Sequence, residues 1–425
     1  MKLLFVADRA YPAAGGSLTY LREMTERLAS EGHSVEIYTT DALELEYFWD
    51  ASARRAAVPD ETHNGVTIRR FPVRHTLLPR LTFPALRHLN ARLSDARPVP
   101  PGWLRTIARR TPPVPALRVA LAARHMAPDV VHAINITLDG ISLAAAEYAR
   151  HAGVPLVVTP FVHGGMPRFY TMRHQLDLLR EAQAVIAQTE LERNLLATGG
   201  IRPGRLHVIG VGINPDGLHG GNGEAFRAKY NITGPIVFTL GVLARDKGAV
   251  QLLDALASLW EQGSTATLVM AGQATPPFTD RVRQLPARYS TRLCLPGYIS
   301  EEEKRDLLDA GDIFVLTSRT ESFGIVYLEA WLYNKPVVGA RAGGAQEVIH
   351  DEQDGLLVPF GDAPALARAI GRLLDRPEWA RALGMAGQER TRGQTWEKQY
   401  GHLRDLYSTL LRPRIPSTPP VDPLL

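Results

Sequence analysis

The chain has a single cysteine, Cys294, among its 425 residues. One cysteine closes no intramolecular disulfide and builds no zinc cluster. It sits in "TRLCLPGYI", which reads as a strand, so a buried, inert thiol is expected. Long apolar runs are also missing. The start, "MKLLFVADRAYP", has one lysine and a short apolar stretch, then Asp8 and Arg9. That is too short for a signal-peptide core or a membrane span. The expectation is a cytoplasmic protein, with peripheral contact to the inner face of a membrane left open. There is no G-x-G-x-x-G followed by an acidic residue, which argues against a nicotinamide dehydrogenase. No nucleic-acid-binding motif accompanies the basic residues, and aromatics are not interleaved with them, so nucleic acid is not an expected partner.

What is present reads as globular. Hydrophobic residues make up 45% and charged residues 22%, a soluble balance, and the length calls for two domains. The net charge of +4 is unevenly placed. Residues 1–212 hold 25 Lys+Arg against 19 Asp+Glu, a balance of +6; the remainder holds 23 against 25, a balance of −2. Between Arg54 and Arg124 there are 14 arginines and three acids, Asp60, Glu61 and Asp95. This stretch is proline-rich ("RPVPPGW", "RTPPVPALR"). It reads either as a solvated, irregular insertion with Arg-capped helices or as a surface for an anionic acceptor or lipid headgroups.

Strands and helices alternate along the chain. Short apolar strands fall at "KLLFVAD", "SVEIYTT", "DVVHAI", "PLVVTPF", "AVIAQT" and "LHVIGVG", with amphipathic helices such as "SLTYLREMTERLASEG" between them. "GVGINPDGLHGGNGE" interrupts the pattern and reads as a linker. The alternation restarts with "PIVFTLGVL", "ATLVMAG", "RLCLPGY", "DIFVLTS", "PVVGA" and "GLLVP". The fold class is α/β: two Rossmann-like, doubly wound parallel-sheet units facing across a cleft. The expected division is residues 1–212 (with the basic insertion near 75–118), 213–395, and a C-terminal helix and tail, 396–425, packing back on the first unit. Ligands of such folds sit at the carboxyl ends of the strands.

Several small motifs fall there. Gly15 and Gly16 in "YPAAGGS" open the first helix, where backbone N–H groups can approach an anion. "LGVLARDKGA" puts Arg245 and Lys247 after the first strand of the second unit, where cations can hold a diphosphate. "TPFVHGG" places His163 after a strand, and "GARAGGAQEVI" places Gly343 and Gly344 after another. Ser300 and Glu303 form a capping-box pattern with no catalytic role. "TSRTESFGIVYLEAW" carries Glu321 in a strand-to-helix turn and Glu329 inside the helix. Taken singly, each has a structural explanation: a turn, a solvated cation, a satisfied helix carboxylate.

In combination and order they resemble the retaining glycosyltransferases of family 4, which have the GT-B fold. The resemblance runs over most of the chain and is carried by the E-x7-E element with "NKPVVGA" and "GGAQEVI" after it, together with "YPAAGG" and "VHG". It implies transfer of a hexose from a nucleoside-diphosphate sugar, such as a UDP- or GDP-hexose, to an acceptor hydroxyl. The acceptor would be a glycan, a glycolipid or a small molecule. No metal or other cofactor is implied. Glu321 would meet donor-sugar hydroxyls, Glu329 the ribose, and His163 would help hold the sugar. Lys247, Arg245, Gly15, Gly16 and the amides of Phe323, Gly324 and Ile325 would surround the diphosphate. Front-face attack and double displacement both remain open. Val242 stands where members of the family usually carry arginine. That leaves a catalytically silent homologue, binding donor or a partner, as the alternative, with a nucleotide-sugar epimerase behind it.

Overall fold

The computed structural model describes residues 1–96, 99–123, 127–162, 167–215, 217 and 220–412. Eight strands form the first sheet: β1 (Lys2–Ala7), β2 (Ser34–Thr40), β3 (Asp60–His63), β4 (Val66–Phe71), β5 (Val130–Ile134), β6 (Leu156–Thr159), β7 (Ala184–Ala187) and β8 (Leu206–Val208), in the order β3-β4-β2-β1-β5-β6-β7-β8. Six form the second: β9 (Ile236–Leu240), β10 (Thr267–Ala271), β11 (Leu293–Gly297), β12 (Ile313–Leu316), β13 (Val337–Ala340) and β14 (Gly355–Val358), in the order β11-β10-β9-β12-β13-β14. Every pairing is parallel except β3 with β4.

Burial explains the apolar strands. All residues of β5, β6, β7, β9, β10 and β12 are buried, because helices cover both faces of each sheet. The strand order reverses between β1 and β5 and again between β9 and β12. A crevice opens at the carboxyl ends of strands at such switch points. The loops after β9 and β12 meet through Arg319 and Asp246, and the loop after β1 lines a cavity with Leu243 of the loop after β9.

Two crossings join the lobes, and they are tied together. Ile213 N–H donates to Gln394 O at 2.8 Å, and Trp396 N–H donates to Ile213 O at 3.2 Å. The helix Trp396–Leu411 then lies on the first lobe. Trp396, Tyr400, Leu403, Leu406 and Tyr407 join one apolar cluster with Leu3, Phe5, Tyr20 and Ile37. The His132 imidazole bridges Tyr407 OH at 2.6 Å and Thr159 Oγ1 at 2.7 Å. Burial pushes its pKa down to about 3, so the ring is neutral.

The basic stretch corrects the expectation of an irregular insertion. It begins with the β3–β4 hairpin, where Val66, Ile68 and Arg70 face inward with period two. Three helices follow, Pro79–Asp95, Pro101–Ala108 and Pro115–Ala122, each opening on proline at its first position. Proline fits there because that N–H has no helical partner in any case. The arginines also find acids outside the stretch. Arg54 pairs with Glu44 at 2.6 Å, Arg69 with Glu36 at 3.2 Å, Arg80 with Asp50 at 2.5 Å, Arg105 with Glu181 at 2.6 Å and Arg109 with Glu147 at 2.8 Å. Charge concentrated in sequence is thus largely cancelled in space.

Two smaller expectations also change. Cys294 is half-buried rather than buried, and burial, with Glu303 nearby, still pushes its thiol up to about 11. The capping box is half made. Ser300 Oγ accepts the Glu303 N–H at 3.1 Å, but the Glu303 carboxylate turns to Lys229 and Tyr230.

Candidate active site

The loops after β9 and β12 are locked against each other. Arg319 N–H donates to Asp246 O at 2.8 Å. Gly248, at φ 81°, lies so close to Thr317 that an added Cβ would meet the Thr317 carbonyl oxygen at 2.5 Å. This contact brings the turn Arg245–Lys247 beside Glu321, and Lys247 Nζ donates to Glu321 Oε2 at 3.2 Å. Both side chains are partly exposed, 31% for Lys247 and 19% for Glu321. Arg245 is exposed on the same turn.

A second clamp comes from β13. Gly344 N–H donates to Glu321 O at 2.7 Å. A side chain at Gly343 would run into Glu321 O, and one at Gly344 into Ser322 O. The twin glycines are therefore required by close backbone approach. They set the position of the turn that carries Glu321.

Gly324, at φ 91°, caps the helix Ile325–Leu332. The first N–H groups of a helix have no partner within it, and among the described residues those of Gly324 and Ile325 bond nothing outside it. They remain available to an anion, favoured further by the helix dipole. Phe323 packs into apolar clusters of both lobes, so this turn sits at the contact between them.

Glu329, inside that helix, is already engaged. Lys304 Nζ donates to its Oε1 at 3.0 Å and also pairs with Glu301 at 2.7 Å. Burial alone would lower the Lys304 pKa, but Glu329 and Glu301 outweigh it and hold the value up. On the first lobe, Gly15 (φ 147°) caps the helix Gly16–Ser30. A Cβ on Gly16 would meet no protein atom within 4 Å, so packing does not demand glycine there. His163 lies outside the described residues.

Two cavities run between the lobes. One, about 360 Å³, is lined by Val162, Thr189 and Glu192 on one side and by Arg319, Glu321 and Gly344 on the other. The second, about 720 Å³, lies between Ala14, Glu44 and Arg54 of the first lobe and Gly272, Gly297 and Tyr298 of the second. Glu192 is buried and accepts the N–H groups of Val162 (2.5 Å) and Gln188 (2.7 Å). Burial outweighs those two bonds and raises its pKa to about 7. A direct bond spans the cleft as well. The Glu347 carboxylate accepts the N–H of Glu190 at 2.8 Å and of Leu191 at 2.7 Å, capping the helix Glu190–Thr198 from the opposite lobe.

Reading the sequence missed Lys304, Arg319, Glu192 and Glu347 as contributors. Signals existed for two of them. Thr189 and Glu192 have capping-box spacing, and Glu347 lies inside the quoted "GGAQEVI". Lys304 directly follows the Ser300–Glu303 capping pattern, and nothing in the sequence marks it or Arg319 as part of a site.

Two parallel-sheet α/β lobes with a cleft at the strand carboxyl ends define the GT-B class. Residues 15–212 match the family described as "Glycosyl transferase 4-like domain" and residues 223–390 the family "Glycosyl transferases group 1". The chain is 30% identical over 272 residues to alpha-D-kanosaminyltransferase of Streptomyces kanamyceticus, covering 58% of this chain and 68% of that one. It is 26% identical over 435 residues to D-inositol 3-phosphate glycosyltransferase of Nocardiopsis dassonvillei, covering 94% and 91%. In fold it is similar to Anabaena HepE, crystallised with UDP and glucose (TM-score 0.72, 20% identity, 96% and 100% covered). It is also similar to sucrose-phosphate synthase of Thermosynechococcus elongatus (TM-score 0.73, 24% identity, 96% and 98% covered). The chain belongs to this family of GT-B glycosyltransferases.

Proposed function

We propose that the protein is a retaining glycosyltransferase that moves a hexose from a nucleoside-diphosphate sugar to an acceptor hydroxyl, in the synthesis of a cell-envelope polysaccharide, a glycolipid or a glycoside. The observation that carries this reading is the Lys247–Glu321 pair, 3.2 Å apart at the head of a helix whose first amides are open. Departure of the diphosphate concentrates negative charge, and preorganised donors stabilise that charge best. Lys247, the first amides of Ile325–Leu332 and the N–H groups at Gly15–Gly16 supply them, with Arg245 beside them. No metal is needed in this scheme. The bare surface at Gly16 fits close approach by a phosphate.

Glu321 takes hydroxyls of the donor sugar once Lys247 turns to phosphate. Glu329 takes ribose hydroxyls, and Lys304 holds it in place. The cavity beneath Arg319 and Glu192 is the space for the acceptor end of the reaction. The name of the kanosaminyl relative agrees with sugar transfer, and that of the inositol-phosphate relative with a small hydroxyl acceptor.

One observation favours a second reading. Val242 is half-exposed at the end of β9, so no cation stands at that position. A homologue that binds donor without turnover fits this as well. A thermal-shift panel of nucleotide sugars, followed by product analysis with acceptor, separates the two. Donor-dependent stabilisation with glycosylated product supports transfer. Stabilisation without product supports the silent homologue, and isomerised donor without acceptor supports an epimerase.

A further inference from the structure

The helix Pro79–Asp95 has two faces of opposite character. Phe83, Asn90, Ala91 and Ser94 are buried against the first lobe. At roughly 100° per residue, Leu81, Ala85, Leu89 and Arg92 fall on the opposite side, continuing the line of Leu78. That side is in solvent. Leu78 is 61% exposed, Leu81 68% and Leu89 46%, and Leu77 just before the helix is fully exposed. The neighbouring helix Pro101–Ala108, to which the Asn90 side chain donates at Leu104 O, adds Trp103 at 67%. Scattered exposed leucines need no explanation, but a contiguous apolar stripe does.

The charge on the same segment, residues 74–110, with Arg92 on the stripe itself, says what covers it. Arg74, Arg92 and Arg110 are exposed, and no carboxylate lies within ion-pair distance of any of them among the described residues. The acids on or beside the helix, Asp50 and Asp95, are taken up by Arg80 and Arg168. What remains is apolar and positive. A second copy would set the same arginines against each other. A stable dimer also asks for about 800 Å² from each partner, more than a single-helix stripe offers. We propose that the outer face of Pro79–Asp95, with Leu77 and Trp103, rests on an anionic lipid surface, with the leucines in the headgroup boundary and the arginines on the phosphates. The inference is independent of the donor chemistry proposed above.

Flotation with vesicles tests it, using phosphatidylcholine alone against phosphatidylcholine containing about one third phosphatidylglycerol. The wild-type chain floats with the anionic vesicles only, and about 0.5 M salt weakens the binding. Leu81→Glu/Leu89→Glu partitions at least about tenfold less, with melting temperature and nucleotide-sugar binding unchanged. Trp103 emission shifts to shorter wavelength on anionic vesicles, a shift lost in Trp103→Phe; this readout stands even where the glutamate variant folds poorly. Absence of wild-type flotation overturns the proposal. So does equal flotation of wild type and Leu81→Glu/Leu89→Glu. Self-association of the wild type that the variant abolishes, without vesicle binding, also overturns it and assigns the stripe to a second copy.

Discussion

Two lysine–glutamate pairs stand on one strand–turn–helix unit, and they are built differently. Lys247 meets Glu321 between two loops, one acid to one lysine, in positions set by Gly248, Gly343 and Gly344. Lys304 meets Glu329 between two helices and is shared with Glu301, so two acids face one lysine. The helix pair is also less exposed, 18% and 12% against 31% and 19%. A lysine with one partner at an open cleft can turn to a phosphate. A lysine held by two carboxylates is fixed, and one of those carboxylates keeps capacity for hydroxyl groups. The first pair is suited to changing partners during reaction and the second to holding a ligand still.

The largest break in this comparison comes from Glu321→Ala. Turnover is expected to fall about a hundredfold, near 3 kcal/mol of transition-state stabilisation. Adding Lys247→Ala should cost much less than the sum, since neighbours in one network couple. Steady-state rates of the single and double variants check this, and strict additivity would separate the two residues.

A third carboxylate, without any lysine, sharpens the contrast. Glu192 is raised from 4.5 to about 7 by burial. The folded chain therefore holds a proton that the unfolded chain has released between those values. This contribution to stability is greatest below pH 4.5 and declines as pH rises through about 7, by about 3 kcal/mol at most. Burial lowers His132, which gives the opposite slope, so the test is the difference between wild-type and Glu192→Gln stability across pH. Parallel curves would show that Glu192 ionises normally.

The helix pair should respond more mildly. Glu329→Ala is expected to weaken donor binding roughly tenfold, about 1.4 kcal/mol, with little change in the rate of bound donor. Lys304→Ala leaves Glu329 and Glu301 facing each other and should lower stability by about 1–2 kcal/mol. Calorimetric titration with donor and denaturant melts check these; a fall in rate at unchanged affinity would reverse the assigned roles. The smallest expected effect is none. Chelator should leave turnover intact, because Lys247 and helix amides carry the diphosphate charge, and a loss restored only by Mg²⁺ or Mn²⁺ would contradict that.

The second lobe was more legible than the first. Its six strands are short apolar runs with no charge inside them, and for all but the edge strand β11 burial on both faces demands that pattern. The E-x7-E element was visible as a motif, and Gly343 and Gly344 after β13 stand where close approach requires them. Less could be read where partners are distant in sequence. β4 is "VTIRRF", and its inward Arg70 is satisfied by Glu61 and by the Tyr11 carbonyl, which no local pattern announces. The arginines between 54 and 124 suggested an unbalanced surface because Glu36, Glu44, Asp50, Glu147 and Glu181 lie outside the window. Lys304 was hidden for the same reason, since Glu329 lies 25 residues away. Glu347 was legible as part of a motif, but its reach to Glu190 crosses the cleft.

Lys247 is the residue on which the proposed transfer depends most directly. Wild type and Lys247→Ala should be compared side by side for release of nucleoside diphosphate and formation of glycosylated acceptor, with donor binding measured in the same samples. Both should bind donor, only the wild type should turn over at full rate, and the variant should be slower by about a hundredfold or more, corresponding to about 3–4 kcal/mol. Equal rates would remove Lys247 from the chemistry, and tight donor binding with no product from the wild type would contradict glycosyl transfer itself.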